Sequence, residues 1–177
     1  MKNRKVSLYI AMSLDGYIAT EDDSLDWLFK TKVDGDAGYE AFYKPVDTVV
    51  MGNRTYEWIL NEMKGTFPYE NKKCFVFTSK EKQHSPYVQF VHEDVKTFTR
   101  RLKEENGGTI WLVGGGGIIH SFLQNNLIDE YIITIAPVLI GKGIPLFQPF
   151  DQEIDLELKE VRQYAQFAQL IYARKSS

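Results

Sequence analysis

The chain has 177 residues, a formal net charge of −3 and one cysteine. That length supports one domain with a core of its own, and a composition 44% hydrophobic and 25% charged excludes wholesale disorder. Twenty-four acids against 21 bases, with no long basic run, leave no footprint for a nucleic-acid backbone. Cys74 has no partner for an internal disulfide, which points to a reducing compartment. The basic start Met1-Lys2-Asn3-Arg4-Lys5 runs into an apolar stretch broken by Ser13 and Asp15. It lacks the length of a signal peptide or a membrane span, and the expectation is a cytoplasmic protein with no membrane partner.

Short apolar runs alternate with amphipathic stretches, the pattern of an α/β domain. Val6 to Ala11 reads as a first strand, apolar on both faces and therefore central. A polar segment from Thr20 to Asp26 precedes Trp27, and Asp34 to Tyr43 reads as a helix capped by Asp34 or Asp36. Asp47 to Met51 is a second strand ending at Gly52. Tyr56, Ile59, Leu60 and Met63 then give the buried stripe of a helix that Gly65 closes. Strands follow at Cys74 to Phe77 and Tyr87 to Val91, then a helix marked by Val95, Phe98 and Leu102 and ended by Gly107-Gly108. Thr109 to Val113 is a strand running into four glycines, and Ile119, Phe122 and Leu123 carry the next helix. Glu130 to Leu139 is a long β-rich run, Gly141-Lys142-Gly143 a turn, and Leu156 to Val161 with Phe167 to Ala173 an antiparallel hairpin. No linker or repeat interrupts this order, so residues 1–177 read as one domain.

Three strand ends carry chemistry. Trp111-Leu112-Val113-Gly114-Gly115-Gly116-Gly117-Ile118-Ile119 sends a buried strand through glycines into a helix. Such a segment is either a tight turn or a cradle where the backbone approaches a pyrophosphate at free N–H groups, and four glycines exceed the need of a turn. It is neither a GxGxxG fingerprint nor a P-loop. Val49-Val50-Met51-Gly52-Asn53-Arg54-Thr55 repeats the arrangement with a cation and a hydroxyl in the first helical turn, suited to a phosphate unless Arg54 is only a solvated charge. Ala11-Met12-Ser13-Leu14-Asp15-Gly16-Tyr17-Ile18-Ala19 places Asp15 where it either forms a turn pair with Gly16 or bonds a substrate. Thr78-Ser79-Lys80 adds hydroxyls and a cation for a ribose or phosphate. The three histidines lack metal-ligand spacing, so no metal site is expected. Trp27 borders the polar segment and is a candidate pocket wall.

These motifs, in this order, resemble the dihydrofolate reductase-like superfamily, and most nearly its riboflavin-biosynthesis reductase domain and stand-alone relatives. The likeness also takes in Leu127-Ile128-Asp129-Glu130 and Ala136-Pro137-Val138-Leu139-Ile140-Gly141-Lys142-Gly143. The resemblance implies an α/β three-layer fold with a mostly parallel mixed sheet of about eight strands and a C-terminal antiparallel hairpin. It implies an NADPH-dependent reductase acting on a small heterocycle, most like 5-amino-6-(5-phosphoribosylamino)uracil reductase, and a homodimer. By position, Ala11 and Ile18 would flank the nicotinamide, and Gly52, Arg54, Thr55, Thr78, Ser79 and Lys80 would hold the adenosine phosphates and ribose. Gly115, Gly116, Gly117 and Ile118 would hold the pyrophosphate. Asp15 would face the substrate; in the mechanism expected from this, the proton comes from Asp15 or from a water it orders, and Trp27, read from its own context, is a candidate substrate contact. Gly114 stands where riboflavin-pathway reductases usually have glutamate, as in folate reductases, and Asp34 or Asp36 falls near the folate enzymes' proton-donating carboxylate. Two alternatives therefore stay open, a dihydrofolate or pterin reductase and a nucleotide-binding module without turnover.

Overall fold

A computed structural model describes residues 4–82 and 84–176; the Met1 to Asn3 part of the basic start lies outside the described residues. In chain order the elements are β1 (Val6–Ser13), β2 (Tyr17–Ala19), α1 (Asp26–Phe29), α2 (Tyr39–Tyr43), β3 (Val46–Gly52), α3 (Asn53–Glu62), β4 (Lys73–Phe77) and β5 (Gln89–Val91). Then come α4 (Val95–Glu104), β6 (Thr109–Gly114), α5 (Gly116–Gln124), β7 (Glu130–Ala136), β8 (Ile144–Pro145), β9 (Leu156–Tyr164) and β10 (Phe167–Arg174). Eight strands form one sheet in the order β5-β4-β3-β6-β1-β7-β10-β9. Pairing is parallel from β5 through to β7, with helices before or after most of these strands in the chain, and antiparallel at β7–β10 and β10–β9. The expected hairpin thus extends the same sheet. Strands β2 and β8, three and two residues long, form a separate antiparallel pair.

Apolar residues on both faces of the parallel strands require helices on both sides. On one face Leu8, Val50, Ile110 and Leu112 pack with Phe98 and Leu102 of α4 and Ile119 and Phe122 of α5. On the other, Val49, Met51, Val76 and Trp111 pack with Tyr56 and Ile59 of α3 and the rings of α2. Trp111 sits among Tyr9, Tyr39, Phe42, Tyr43 and Tyr69, with ring centroids 5.3–6.2 Å away. At the opposite edge from the glycine turns, the Arg4 side chain, 1% exposed, pairs with Asp47. It also donates to the carbonyls of Gly108 (3.0 Å) and Leu102 (3.2 Å) and to Thr48 Oγ1 (2.8 Å), which satisfies a buried guanidinium almost completely.

Several boundaries differ from those the sequence implies. The helix expected over 34–43 is only α2, because Gly35, Ala37 and Gly38 take left-handed backbone conformations (φ 61°, 53° and 79°) that no α-helix accepts. A further short helix, α1, precedes it. The stripe of α3 stops before Met63, which is 46% exposed; Gly65 does close the helix, donating its N–H to the Leu60 carbonyl at 2.9 Å. The run from Glu130 stops as a strand at Ala136, immediately before Pro137. Gly107 and Gly108 do not cap α4, whose last helical residue is Glu104. A side chain on Gly108 would run into the Pro45 carbonyl, so the glycine serves a close approach of two backbones.

Candidate active site at the carboxyl ends of the central strands

Strands β3 and β6 are neighbours, with Met51 opposite Gly114, so the helices that follow them begin side by side. Neither α3 nor α5 has a side chain capping its N-terminus. In α4, by contrast, Asp94 accepts from the amides of Lys96 and Thr97, each at 3.0 Å. The first-turn N–H groups of α3 and α5 are therefore free to meet an anion. They open on a groove of ≈ 530 Å³ lined by Gly52, Phe77, Thr78, Ser79, Gly117, Ile118 and Ser121, with Val91, His92, Glu93 and Val95.

The glycines of the turn are not equivalent. A Cβ on Gly117 would meet nothing within 4 Å, whereas one on Gly115 would lie 3.1 Å from Thr55 Oγ1 and one on Gly116 3.2 Å from Ile144. Gly117 faces open space; Gly115 and Gly116 allow packing beneath it. Thr55 is thus placed against the turn and away from the groove lining. Arg54 is also outside the lining: its side chain is 68% exposed, and both Nε and Nη2 lie 2.8 Å from Asp23 Oδ2. Lys80 is exposed, its amide donating to Thr78 Oγ1 at 3.1 Å. His92, Glu93 and Ser121 were missed by sequence reasoning, and no motif marks them.

The end of β1 leads to a second cavity, of ≈ 190 Å³, lined by Tyr9, Ala11, Leu28, Val33, Ala37, Thr134 and Phe167. Ala11 contributes to it, while Ile18 packs against the core on the α4–α5 side. Trp27 is buried in a cluster with Ala136 and Phe167, and its neighbour Leu28 supplies the wall instead. Polar atoms here are few. Tyr9 Oη lies 3.4 Å from the Ala37 carbonyl, and the buried Gln169 donates from Nε2 to Thr134 Oγ1 at 3.0 Å.

The predicted carboxylates lie outside both cavity linings and are engaged differently. Asp15 accepts from Ser13 Oγ (2.6 Å) and from the amides of Ile140 (3.2 Å) and Gly141 (2.8 Å). The Ser13 hydroxyl and these amides hold its carboxyl below the usual aspartate value. An ionised acceptor so committed ties the β1–β2 turn to the segment after β7 and is a poor proton donor. Asp36 accepts from the amides of Glu40 (2.7 Å) and Gly38 (2.9 Å), which likewise hold it low. Asp34 is exposed. Cys74 is buried, and that burial pushes its thiol up to about 12.

Among the described residues no group of three His, Cys, Asp or Glu could hold a metal ion, and no helix is long and apolar enough to cross a membrane. The RibD C-terminal domain matches residues 4–170. The chain is 46% identical over 172 residues to YwjB of Bacillus subtilis (strain 168), an uncharacterized protein, covering 97% of this chain and 98% of that one. A riboflavin-biosynthesis protein structure from Shewanella sp. PV-4 superimposes with a TM-score of 0.89 at 30% identity, covering 97% and 99%. The deaminase/5-amino-6-(5-phosphoribosylamino)uracil reductase of Thermotoga maritima shares the fold at 18% identity with a TM-score of 0.73, covering 98% of this chain and 57% of that longer one. The three-layer architecture, the glycine turns and these likenesses agree: the chain belongs to the RibD C-terminal domain family, a reductase family of riboflavin biosynthesis.

Proposed function

We propose that the chain is an NADPH-dependent reductase acting on a small heterocyclic substrate. The observation that carries this reading is the pair of uncapped, glycine-led helix N-termini at Gly52 and Gly115 to Gly117, adjoining one groove. Gly117, with no atom within 4 Å of where its Cβ would stand, fits a close backbone approach to a pyrophosphate. Gly52, Gly115, Gly116 and Ile118 complete that cradle, Thr78, Ser79 and Lys80 serve the adenosine side, and Arg54 with Thr55 serves a 2′-phosphate. Ala11 and Ile18 flank the nicotinamide. The cofactor supplies a hydride when bound, and the protein supplies position and a proton. Asp15 acts through the turn it fastens. The named activity closest to this reading is the phosphoribosylaminouracil reduction of the Thermotoga maritima relative. A pterin reductase is less well supported, because Asp34 and Asp36 are exposed. A cytoplasmic homodimer joined through the C-terminal strands belongs to the same proposal, and the exposed Leu158 and Val161 on β9, at the edge of the sheet, support it.

Titrating NADPH and NADH while following nicotinamide fluorescence tests the reading. NADPH is expected to bind more tightly than NADH, and Arg54→Ala to weaken NADPH alone by roughly tenfold, as the loss of a charge-assisted contact worth ~1.5 kcal/mol requires. Equal losses for both cofactors, or no binding, overturn it. NADPH binding without oxidation across heterocyclic substrates marks a nucleotide-binding module instead.

A further inference from the structure

We infer that the cavity beside β1 takes a flat, uncharged acceptor of one or two rings bearing a C=O or C=N bond, and that the Tyr9 hydroxyl delivers the proton to its heteroatom. This rests on the reductase reading above.

Size and charge set the substrate class. At ≈ 190 Å³ the cavity is modestly larger than the ~150 Å³ that admits benzene in a dry protein interior. Its walls are Leu28, Val33, Ala37, Ala11 and Phe167, and no cation is among them. The guanidinium of Arg162, which reaches the nearby Gly38, is already held by both oxygens of Glu160 at 2.7 Å each. A phosphoribosyl group, carrying close to two negative charges near neutral pH, finds no partner in such a lining.

The polar atoms set the chemistry. An apolar pocket with a few convergent polar groups orients its ligand through them. Here those groups are the hydroxyls of Tyr9 and Thr134, both beside the buried Gln169 amide. Thr134 Oγ1 accepts from Gln169, which leaves its own hydrogen for a ligand. The Tyr9 ring is fixed by stacking on Phe42 at 4.2 Å, and its backbone carbonyl receives the Trp111 indole N–H at 3.1 Å. Its hydroxyl lies 3.4 Å from the Ala37 carbonyl and accepts from the Gln169 side-chain amide, so its own hydrogen is held only by the long contact to that carbonyl. Burial raises the Tyr9 hydroxyl above its usual value, so it stays protonated until used. Asp15 and Asp36, by contrast, are ionised acceptors, the first engaged by the Ser13 hydroxyl and two backbone amides and the second by two backbone amides. In the reduction a new C–H bond forms at the carbonyl or imine carbon with hydride from the reduced nicotinamide. The π pair moves to the heteroatom, that atom takes the Tyr9 proton, and the phenolate recovers a proton from water at the cavity mouth.

Isatin, neutral and bicyclic with a ketone, is the probe. With the cofactor-free chain, saturation-transfer NMR is expected to show isatin bound, and Leu28→Trp, which fills the cavity, to abolish the signal. No signal, or one indifferent to Leu28→Trp, overturns the inference. With NADPH, isatin is expected to be reduced at the ketone, and Tyr9→Phe to lower kcat by ~10²-fold or more while the isatin signal and the NADPH Kd hold. An unchanged kcat overturns the role of Tyr9. Turnover of 5-amino-6-(5-phosphoribosylamino)uracil with isatin inert overturns the substrate class and leaves the reductase reading standing. Isatin seated by a chain that binds no NADPH keeps the cavity and overturns the role of Tyr9 together with that reading.

Discussion

The groove beside Gly117 and the cavity beside Tyr9 lie at the same edge of the sheet and are built of different material. The groove is centred on backbone, two helix starts without side-chain caps separated from the strands by glycine. The cavity is made of side chains drawn from β1, α1, the segment before α2, β7 and β10. A backbone-made site needs particular residues at consecutive positions, because each must lack a Cβ or start a helix. A side-chain-made site needs only bulk and polarity at scattered ones. The first kind is therefore expected to suit a ligand shared by many reductases, and the second to decide what each one reduces.

Substitutions can separate the two. Trp111→Ala removes the ring that supports Tyr9 and Phe42 from below, and a loss of ~3–5 kcal/mol in urea unfolding is expected, as for other buried large-to-small changes. A smaller loss would mean that the rings around it collapse to fill the space. At Gly117 an added Cβ would meet no neighbour across the turn, so Gly117→Val projects its side chain towards the groove. Its unfolding midpoint should stay close to that of the wild type while the NADPH Kd rises on the order of tenfold, the equivalent of ~1.4 kcal/mol. A loss of stability without a loss of binding would show that the turn is only structural. Asp15→Asn should have the smallest effect, seen best against pH. The Asp15 carboxyl is held below its ordinary 3.8, so its contribution is complete above that value and is lost as pH falls through the lower, folded value. The wild type should therefore lose its advantage over Asp15→Asn in acid, and a constant difference across pH would show that the carboxylate charge is immaterial.

The same division explains what was legible in the chain. Strands β1, β3 and β6 are evident because their residues are apolar on both faces, and the turns after β3 and β6 because their glycines are contiguous. The helix expected from Asp34 to Tyr43 starts too early, since Asp34 and Asp36 look like caps. Asp36 does bond the amides of Gly38 and Glu40, but left-handed residues at 35, 37 and 38 keep the chain out of a helix until Tyr39. Strands β2 and β8 are too short to show a periodicity. Tyr9 read only as part of a buried strand, and nothing local distinguishes it from a core aromatic. Its significance comes from Gln169 and Thr134, more than a hundred residues away.

The ion pair between Arg54 and Asp23 makes recognition of a phosphate at Arg54 an exchange of anions. Arg54 gives Nε and Nη2 to one carboxylate oxygen, so a phosphate must displace that carboxylate, and its affinity reflects the difference between two partners. Asp23→Asn is then expected to tighten NADPH binding and to leave NADH unaffected. Asp23 stands on the connection between β2 and α1, three residues before the helix whose Leu28 walls the second cavity. If Arg54 takes the cofactor phosphate as proposed, it releases Asp23 and with it the stretch of chain that leads to the cavity wall, and the Asp23→Asn variant is then expected to change isatin binding as well.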